Sequence, residues 1–386
     1  MPRVLIAAVG EEPTPNLIPL FAQPEPRFDY VQFMLSDKRE VRLVAENLQH
    51  AIEKDPDLAV TVADSRDLNA WELATARNQV TKAIAHHRGQ GREVTVNVTG
   101  GTKIMSLASF EAARDAGVPA LYVNTEREEI IHFSPDADQR NVPFKVPISI
   151  ATQFRAAGRE IEPMPKSVKA SGPDRRWADF ARYLLANYQV AHVNLIRGVL
   201  ASCGGSLLTP VAITPKGKSE DAAKRAQEAG LWKWDEDAGT ITIASQHARD
   251  FLNGGWVEAL AFTALSGDSR FDEVLGNVEL NGLGELDVVV SRNGRMGIVE
   301  CKTTGPRAGR TGERSADGMT FVVAKLRMHE VILGGPYAAS MFAFASDANF
   351  RDWKRICEQY GIPEPLFGQK VSNIADEMFK RLAPGH

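Results

Sequence analysis

An alternation of strand-like and helix-like segments over residues 1–135 constrains the fold of this chain more than any other feature. Residues 4–9 and 30–35 are continuous apolar runs, whereas residues 40–54 carry apolar side chains at helical spacing. The alternation continues in predicted strands and helices at residues 58–63, 71–86, 93–98, 102–116 and 120–124. Strands separated by helices form mostly parallel sheets. We therefore predict a doubly wound, Rossmann-like α/β domain over residues 1–150.

Two further units follow this domain. Prolines interrupt residues 135–170, which predicts a linker with one helix near residues 149–158. Residues 165–250 predict a small winged-helix-like connecting unit, because a helix at residues 221–229 precedes two short strands. Residues 251–386 return to an α/β pattern and predict a C-terminal α/β domain.

Composition excludes several classes of protein. Of the 386 residues, 44% are hydrophobic and 24% are charged, and no apolar run is long enough to predict a membrane span. The three cysteines form no CxxC pair, which argues against a disulfide scaffold and against a cysteine zinc site. The eight histidines are scattered and suggest no metal pair. We expect a cytoplasmic location and no membrane partner.

The charge balance limits how this chain can contact nucleic acid. A formal net charge of −4 argues against a broad basic binding face, so any such contact should be local. The helix at residues 221–229 places Lys224 and Arg225 among acidic neighbours, which leaves both DNA contact and a spacer role open for its unit. One Gly-rich stretch could be such a local basic contact or a solvated surface loop; its basic residues are Lys302, Arg307, Arg310 and Arg314.

A predicted hairpin organises the C-terminal domain. Asn293-Gly294 lies between two strand-like segments, and Asn-Gly is a strong signal for a tight hairpin turn. The segments at residues 284–290 and 297–302 should therefore pair as antiparallel neighbours.

Three polar residues interrupt the apolar strands of this hairpin. Glu300 and Lys302 are two residues apart, so they share a face of their strand, and Asp287 can face them from the partner strand. The residues expected to point the other way, into the core, are Leu286, Val288 and Val290. Two carboxylates and one ammonium group would then meet on an otherwise apolar sheet.

This set of residues suits metal-assisted hydrolysis of a phosphodiester. Asp287 and Glu300 offer the oxygen ligands that Mg²⁺ or Mn²⁺ takes, and the Cys301 backbone carbonyl lies between the two site side chains. Lys302 is placed to orient the attacking water or to stabilise the developing charge. Glu258, on the preceding helix, is a further candidate metal ligand or base.

The order of a helix with an acid, a strand with Asp and a strand with Glu-x-Lys resembles the PD-(D/E)xK nuclease fold. On this resemblance Glu258, Asp287, Glu300 and Lys302 are catalytic residues. The family often has a proline turn before the Asp, where this chain has Glu285-Leu286 instead. Lys325, on a later helix, is a minor candidate for contact with the substrate backbone.

A second group of residues ends a predicted strand in the N-terminal domain. Gly100 and Gly101 allow a ligand to approach the backbone closely, and a helix opens directly after them at Thr102. The free N–H groups of that helix start, with Lys103 beside them, favour an anion. The spacing is neither a P-loop nor GxGxxG, so these residues alone leave a plain tight turn and an anion site both open.

The Thr-Gly-Gly-Thr-Lys motif and the loop after the first strand resemble the CARF domain of CRISPR-associated proteins. The resemblance covers residues 1–135 and implies a site for a cyclic oligoadenylate across a two-fold dimer interface. The residues that it assigns to this ligand are Gly10, Glu11, Thr14, Pro15, Asn16, Ser36, Thr99, Gly100, Gly101, Thr102, Lys103, Ile104 and Met105.

A CARF domain, a small connecting unit and a PD-(D/E)xK domain together resemble the CRISPR ancillary nucleases that this messenger activates. The resemblance implies a homodimer with a Mn²⁺ or Mg²⁺ cofactor and a DNA or RNA substrate. A ring of four adenylates has two-fold symmetry that matches a symmetric dimer, which favours cyclic tetraadenylate as the activator. Binding would have to favour the closed state of the dimer to switch on cleavage.

Two other functions remain open on the sequence. The chain could be a non-catalytic CARF transcriptional regulator that binds DNA through its winged-helix-like unit, in which case Glu300→Gln would change nothing. It could instead be a ring nuclease whose N-terminal domain cleaves the messenger without metal, with Lys103 as an electrostatic helper. Messenger decay that survives a chelator would favour that second alternative.

Overall fold

The computed structural model describes residues 1–22, 27–135, 138–162, 175–203, 209–303 and 316–383. The N-terminal domain has seven strands: β1 (Arg3–Ala8), β2 (Tyr30–Leu35), β3 (Thr61–Asp67), β4 (Glu93–Asn97), β5 (Ala120–Asn124), β6 (Glu129–Phe133) and β7 (Gln139–Pro143). They form one sheet in the order β3-β2-β1-β4-β5-β6-β7. Strands β1 to β5 are parallel to their neighbours, and β6 and β7 pair antiparallel at one edge. The predicted parallel α/β sheet is confirmed.

Helices cover both faces of this sheet. They are α1 (Thr14–Phe21), α2 (Arg39–Lys54), α3 (Leu73–Gly89) and α4 (Lys103–Asp115). Leu5 and Ala7 of β1 belong to the core that contains α1 and α2, whereas Val4 and Ile6 belong to the core that contains α3 and α4. The continuous apolar run of β1 therefore reflects burial on both faces of a central strand.

The structure departs from the predicted elements at two places in this domain. Helix α1 lies where a loop was predicted, because Pro15 and Pro19 obscure its helical pattern. Pro15 lies in the first turn, where proline is tolerated, whereas Pro19 lies inside the helix. Strand β3 begins at Thr61 rather than residue 58. It is an edge strand in which no residue is buried, so no alternation of apolar side chains marks where it begins.

A buried histidine on α3 makes the stability of this domain depend on pH. Arg92 donates to His87 Nδ1 over 3.0 Å, and the opposite ring nitrogen lies 3.1 Å from Gln32 Oε1, so the neutral ring is fully bonded. Burial, and then the charge of Arg92, lowers the pKa of His87 to about 4. In the unfolded chain the histidine has an ordinary pKa near 6.5, so it binds a proton at a pH where the folded chain keeps the ring neutral.

We therefore expect stability to fall as the pH drops from about 6.5 towards 4. At about 1.4 kcal/mol per pKa unit, roughly 2 kcal/mol should be lost by pH 5. Thermal unfolding followed between pH 7.5 and pH 5 would measure this loss. The variant His87→Gln should show a flatter profile, and an unchanged slope in that variant would contradict the assignment.

A middle segment connects the two α/β domains. After the linker helix α5 (Ile150–Ala156) come α6 (Arg175–Ala186), a π-helical segment (Tyr188–Ile196), α7 (Arg197–Cys203), β8 (Val211–Ala212), α8 (Lys218–Glu228), β9 (Trp232–Asp235) and β10 (Thr240–Ile243). Helix α8 precedes the β9–β10 hairpin, and β8 completes a small sheet in the order β8-β10-β9.

The charges of α8 are balanced on the helix itself. Lys224 lies 2.7 Å from Glu220, and Arg225 lies 3.0 Å from Asp221, each one turn away. One hydrophobic cluster joins this segment to the C-terminal domain, with members that include Leu184, Trp232, Val290 and Leu382. The segment therefore packs as an extension of the C-terminal domain, and the charges of Lys224 and Arg225 are paired on α8 itself.

The C-terminal domain contains a five-stranded mixed sheet. Its elements are α9 (Gln246–Asp250), a π-helical turn (Phe251–Gly255), α10 (Trp256–Ser266), β11 (Glu273–Leu280), β12 (Gly284–Arg292), β13 (Arg295–Lys302), α11 (Ala316–Leu333), a 3₁₀ turn (Gly335–Tyr337), β14 (Ala338–Phe344), α12 (Phe350–Gln359), β15 (Leu366–Phe367), a second 3₁₀ segment (Gly368–Asn373) and α13 (Ile374–Leu382). The sheet order is β11-β12-β13-β14-β15. Strands β11 to β13 are antiparallel, and β13 to β15 are parallel.

Helices bury both faces of this second sheet. Trp256 of α10 and Met378 of α13 belong to the core on one face, and Val323 of α11 and Trp353 of α12 belong to the core on the other. The predicted α/β character is confirmed, and the short elements α9 and β15 were not predicted. Among the described residues, no helix combines the length and the apolarity that crossing a lipid bilayer would require.

Candidate functional site

The predicted hairpin is present. Strands β12 and β13 pair antiparallel from Val288–Val299 to Arg292–Arg295. Asn293 and Gly294 form the turn with φ values of 52° and 76°, the left-handed conformation that a type I′ turn requires at both positions. The turn sets the register, and the register brings the polar ends of the two strands together.

The expected alternation of side chains breaks at Asp287. Leu286 shares a core with Val289, whereas Val288 and Val290 lie in the core on the other face. The prediction that Leu286, Val288 and Val290 point the same way is therefore wrong. The backbone is irregular here in two respects. Asn277 of the neighbouring strand β11 has a φ of 52°, and the β12–β13 ladder ends at Val288.

Asp287, Glu300 and Lys302 meet where the ladder ends. Lys302 Nζ lies 2.6 Å from Glu300 Oε1 and 3.6 Å from Asp287 Oδ2. The Cys301 N–H donates to Asp287 Oδ2 over 2.6 Å and so joins the two strands beyond their backbone ladder. The two carboxylates have only 12% and 13% of their side chains exposed, against 37% for Lys302, so the cluster opens to solvent on the side of the lysine.

Mutual repulsion and burial dominate the electrostatics of the cluster. Burial, followed by the negative charge of Asp287, raises the pKa of Glu258 on α10 to about 8. Burial and the charge of Glu300 raise the pKa of Asp287 above its ordinary value. Although burial opposes it, the charges of Glu300 and Asp287 raise the pKa of Lys302. The site therefore contains three acidic side chains and one ammonium group, and burial with mutual repulsion favours the protonated form of Glu258.

The donor set of this cluster fits a hard divalent cation in its chemistry. Carboxylate oxygens come from Asp287 and Glu300, and the Cys301 carbonyl points to the same side of β13 as its N–H group, towards Asp287. Within the described part of the chain, no three His, Cys, Asp or Glu side chains converge closely enough to hold an ion by themselves. Mg²⁺ commonly binds one or two carboxylates and completes its shell with water and substrate phosphates, which this arrangement permits.

Helix α11 packs on β14, the strand next to β13, and carries His329, for which the sequence predicted no role. An added Cβ on Gly284 would lie 3.9 Å from Lys325 Nζ, which places that lysine at the start of β12. His329, one turn further along, is 1% exposed, and neither ring nitrogen makes a hydrogen bond of ordinary geometry. Burial, and then the charge of Lys325, lowers the pKa of His329, whereas a backbone contact with Leu283 and the charge of Glu300 oppose this shift. The spacing of four residues from Lys325 was the only sequence signal for it.

A buried imidazole whose ring nitrogens make no hydrogen bond of ordinary geometry should weaken the fold. We expect His329→Leu, which fills similar space with an apolar side chain, to raise the free energy of unfolding by about 1–3 kcal/mol. Thermal unfolding of the full chain measures this change. A rise in stability together with slower nucleic-acid cleavage would show that the imidazole is kept for the site. A fall in stability would show instead that the ring is hydrogen-bonded in solution.

The second candidate site lies at the carboxyl ends of β2, β1 and β4. The chain order of the sheet reverses between β1 and β4, and ligands of open α/β sheets bind at such a switch point. The loop after β1 and the loop after β4 touch there through their glycines. An added Cβ would lie 2.1 Å from the Ala8 carbonyl at Gly100 and 3.1 Å from the Gly101 nitrogen at Gly10. Gly101 itself has a φ of 80°.

The predicted threonines of this site have structural hydrogen bonds. Thr99 Oγ1 donates to Asn97 Oδ1 over 2.6 Å and accepts from the Val123 N–H over 2.8 Å. Thr102 Oγ1 caps α4 by accepting from the Met105 N–H, and it donates to the Ala70 carbonyl. These bonds fix the loop so that its backbone N–H groups are presented at the helix start.

Asn97 was not predicted, and it connects the two loops. Its amide donates to the Pro15 carbonyl over 3.1 Å and is fully buried. Asn16 is also fully buried, and neither atom of its amide has a hydrogen-bond partner. A polar residue in the buried strand β4 was the signal that could have identified Asn97.

The remaining predicted ligand residues surround the same edge. Thr14 is the first residue of α1, and Ser36 is buried directly after β2. Glu11 is exposed and lies 3.4 Å from Lys38. Lys103 and Ile104 begin α4, and Met105 packs under Gly101. The predicted basic residues Arg307, Arg310 and Arg314 fall outside the described residues.

Comparison with known proteins gives two family matches. Residues 4–151 match the family model of the Card1 CARF domain, and residues 245–341 match that of the Card1-like endonuclease domain. No curated protein sequence matches the chain.

Solved structures share the fold over nearly the whole chain. The crystal structure of protein VC1899 from Vibrio cholerae has a TM-score of 0.78 at 17% identity and covers 99% of both chains. Can2 from Sulfobacillus thermosulfidooxidans, solved in complex with cyclic tetra-adenylate, has a TM-score of 0.71 at 20% identity and covers 98% of this chain and 99% of its own.

A third structure is more distant. A type III CRISPR defence DNA nuclease activated by cyclic oligoadenylate has a TM-score of 0.56 at 16% identity, over 89% of this chain and 45% of its own. The likeness in each case is one of fold. The two family matches together span more than half of the chain, and they show that it belongs to the CRISPR-associated CARF-domain nucleases, as a Card1 CARF domain followed by a Card1-like endonuclease domain.

Proposed function

We propose that this protein is a nuclease of type III CRISPR defence that cyclic oligoadenylate activates and that requires Mg²⁺ or Mn²⁺. The observation that carries the proposal is the cluster of Asp287, Glu300 and Lys302 within a domain of the Card1-like endonuclease type. The substrate is DNA, RNA or both, and the location is cytoplasmic. Can2 was solved with cyclic tetra-adenylate bound, and the type III CRISPR DNA nuclease is activated by cyclic oligoadenylate; we extend these properties to this chain.

The residues of the cluster have distinct roles in this proposal. Asp287 and Glu300, with the Cys301 carbonyl, would hold the divalent cation, which would polarise the phosphodiester and make a bound water more acidic. Lys302 is held by Glu300 and stays charged, so it donates to the oxygen on which charge develops. Glu258, whose pKa burial raises to about 8, would supply a further oxygen ligand in its deprotonated form. Lys325 contacts the substrate backbone.

The N-terminal site is proposed to bind cyclic tetraadenylate. Backbone N–H groups at the start of α4 and the Lys103 ammonium suit its phosphates, and the glycine loops permit close approach. The activator would bind across the two-fold axis of a homodimer, which matches the symmetry of a four-membered ring. The thirteen predicted ligand residues keep this role as part of the proposal.

The test is a cleavage assay with purified full-length protein. Plasmid, single-stranded DNA and RNA are incubated with Mn²⁺ or Mg²⁺, with and without cyclic tetraadenylate, beside Glu300→Gln. Cleavage that needs both activator and metal and is lost in the variant supports the proposal and identifies the substrate. Absence of cleavage of every substrate, with the activator bound, would favour a regulator. Decay of the activator itself in EDTA would favour a ring nuclease.

A further inference from the structure

The turn that joins β12 to β13 contacts the CARF domain at several points. Arg295 donates to the Thr125 carbonyl over 2.6 Å, and Asn293 Oδ1 accepts from the Val146 N–H over 2.8 Å. An added Cβ on Gly294 would lie 3.6 Å from Ile18. The far end of the nuclease hairpin therefore contacts the turn between β5 and β6, the segment after β7 and helix α1.

An ion pair between Arg292 and Glu128 holds this contact. The guanidinium binds both carboxylate oxygens, over 2.5 Å and 3.2 Å, and each side chain is only 15% exposed. Paired nitrogen and oxygen atoms fix orientation as well as distance. Arg292 also donates to the Leu382 carbonyl over 3.0 Å, so it has no freedom to swing away.

Glu128 has a strained backbone at this contact. Its φ of 51° lies in the left-handed region, which a residue with a Cβ seldom adopts. Such a conformation persists where the surroundings hold it, and it occurs preferentially at functional and switching sites. The Phe144 N–H donates to the Glu128 carbonyl over 3.0 Å and completes the surroundings that hold it.

The same region of the CARF domain reaches the activator loops. The Thr99 hydroxyl, within the loop after β4, accepts from the Val123 N–H on β5, and Thr125 follows two residues later. Ile18, which packs at Gly294, lies on the helix that begins at Thr14. Each of these loops is thus connected to the nuclease turn through one or two contacts.

The turn and the nuclease cluster lie at opposite ends of the same two strands, β12 and β13. Asp287 lies five residues before Arg292 on β12, and Glu300 lies five residues after Arg295 on β13. At about 3.3 Å per residue, roughly 17 Å of paired strand separates the turn from the cluster. Both strands are buried on both faces, so they move as one body rather than bend.

We propose that the Arg292–Glu128 pair is a positioning contact that transmits activator binding within one chain to Asp287 and Glu300. This inference rests on the proposed function, because it assumes that the CARF domain controls the nuclease. When the activator orders the loops after β1 and β4, the β5–β6 turn shifts with them. The ion pair then carries the hairpin with it and sets the spacing of the two strand ends.

The experiment uses full-length Glu128→Gln and Arg292→Lys. Glu128→Gln removes the charge and keeps the shape, and Arg292→Lys keeps the charge and loses the double contact. If one variant fails to fold, the other carries the test. Glu93→Gln is the matched control, since it breaks the Arg3–Glu93 pair at the amino-terminal ends of the central strands β1 and β4 of the same sheet. Activator affinity and the ratio of activated to basal cleavage rate are measured for each.

We expect both variants to bind cyclic tetraadenylate with wild-type affinity and to lose about 5–150-fold in the ratio of activated to basal rate, while Glu93→Gln keeps it. Coupling is reciprocal, so uncleaved substrate should tighten activator binding in Glu300→Gln, and adding Glu128→Gln should remove this effect. Wild-type activation ratios in both folded variants would overturn the inference. Absence of activation in the wild-type protein would instead overturn the proposed function.

Discussion

Replacing Glu300 by Gln should reduce activated cleavage by about 10²–10³-fold or more, with activator binding unchanged. The change removes one of the proposed cation ligands and also the partner that holds Lys302 Nζ at 2.6 Å. Both losses act on the charge that develops at the phosphate, so the turnover rate should fall more than the apparent substrate affinity. Single-turnover cleavage with saturating activator and Mn²⁺ measures it.

A carboxylate on a neighbouring strand provides the control for that prediction. Glu279 is an exposed residue of β11, and Glu279→Gln makes the same chemical change outside the cluster. It should leave the cleavage rate within a factor of about two, as surface substitutions usually do. Retention of near-normal activity in Glu300→Gln would remove the cluster from the mechanism.

Replacing Lys103 by Gln should weaken binding of cyclic tetraadenylate by about 10–100-fold. A hydrogen bond to a charged group contributes roughly 1.5–3 kcal/mol, and each 1.4 kcal/mol changes affinity tenfold. Lys103 is exposed at the first turn of α4, so its loss should not disturb the fold. Isothermal titration calorimetry of the full-length protein with the activator measures the affinity.

Excess activator distinguishes a binding defect from a catalytic one. In Lys103→Gln, cleavage at saturating activator should return to the wild-type rate, because the nuclease cluster is untouched. Lys82→Gln, which removes an exposed charge from α3 of the same domain, should bind normally. Wild-type affinity in Lys103→Gln would place the activator phosphates elsewhere on the domain.

The sequence determined much of this protein through local patterns. Apolar runs predicted β1 and β2, helical spacing predicted α2, and Asn293-Gly294 predicted the hairpin, because each depends on burial or backbone preference along a short segment. Glu300 and Lys302 could be placed on one face for the same reason. The roles of these residues as metal and substrate contacts stay predictions.

Tertiary structure decided what depends on distant parts of the chain. The face on which Leu286 lies follows from the irregular pairing at Asp287, and the burial of His329 follows from helix α11 crossing the sheet. The contact of Arg292 with Glu128 joins residues 164 positions apart. No local pattern encodes such pairs, because their energy depends on which side chains two separately formed domains bring together, and that is fixed only when the cores pack.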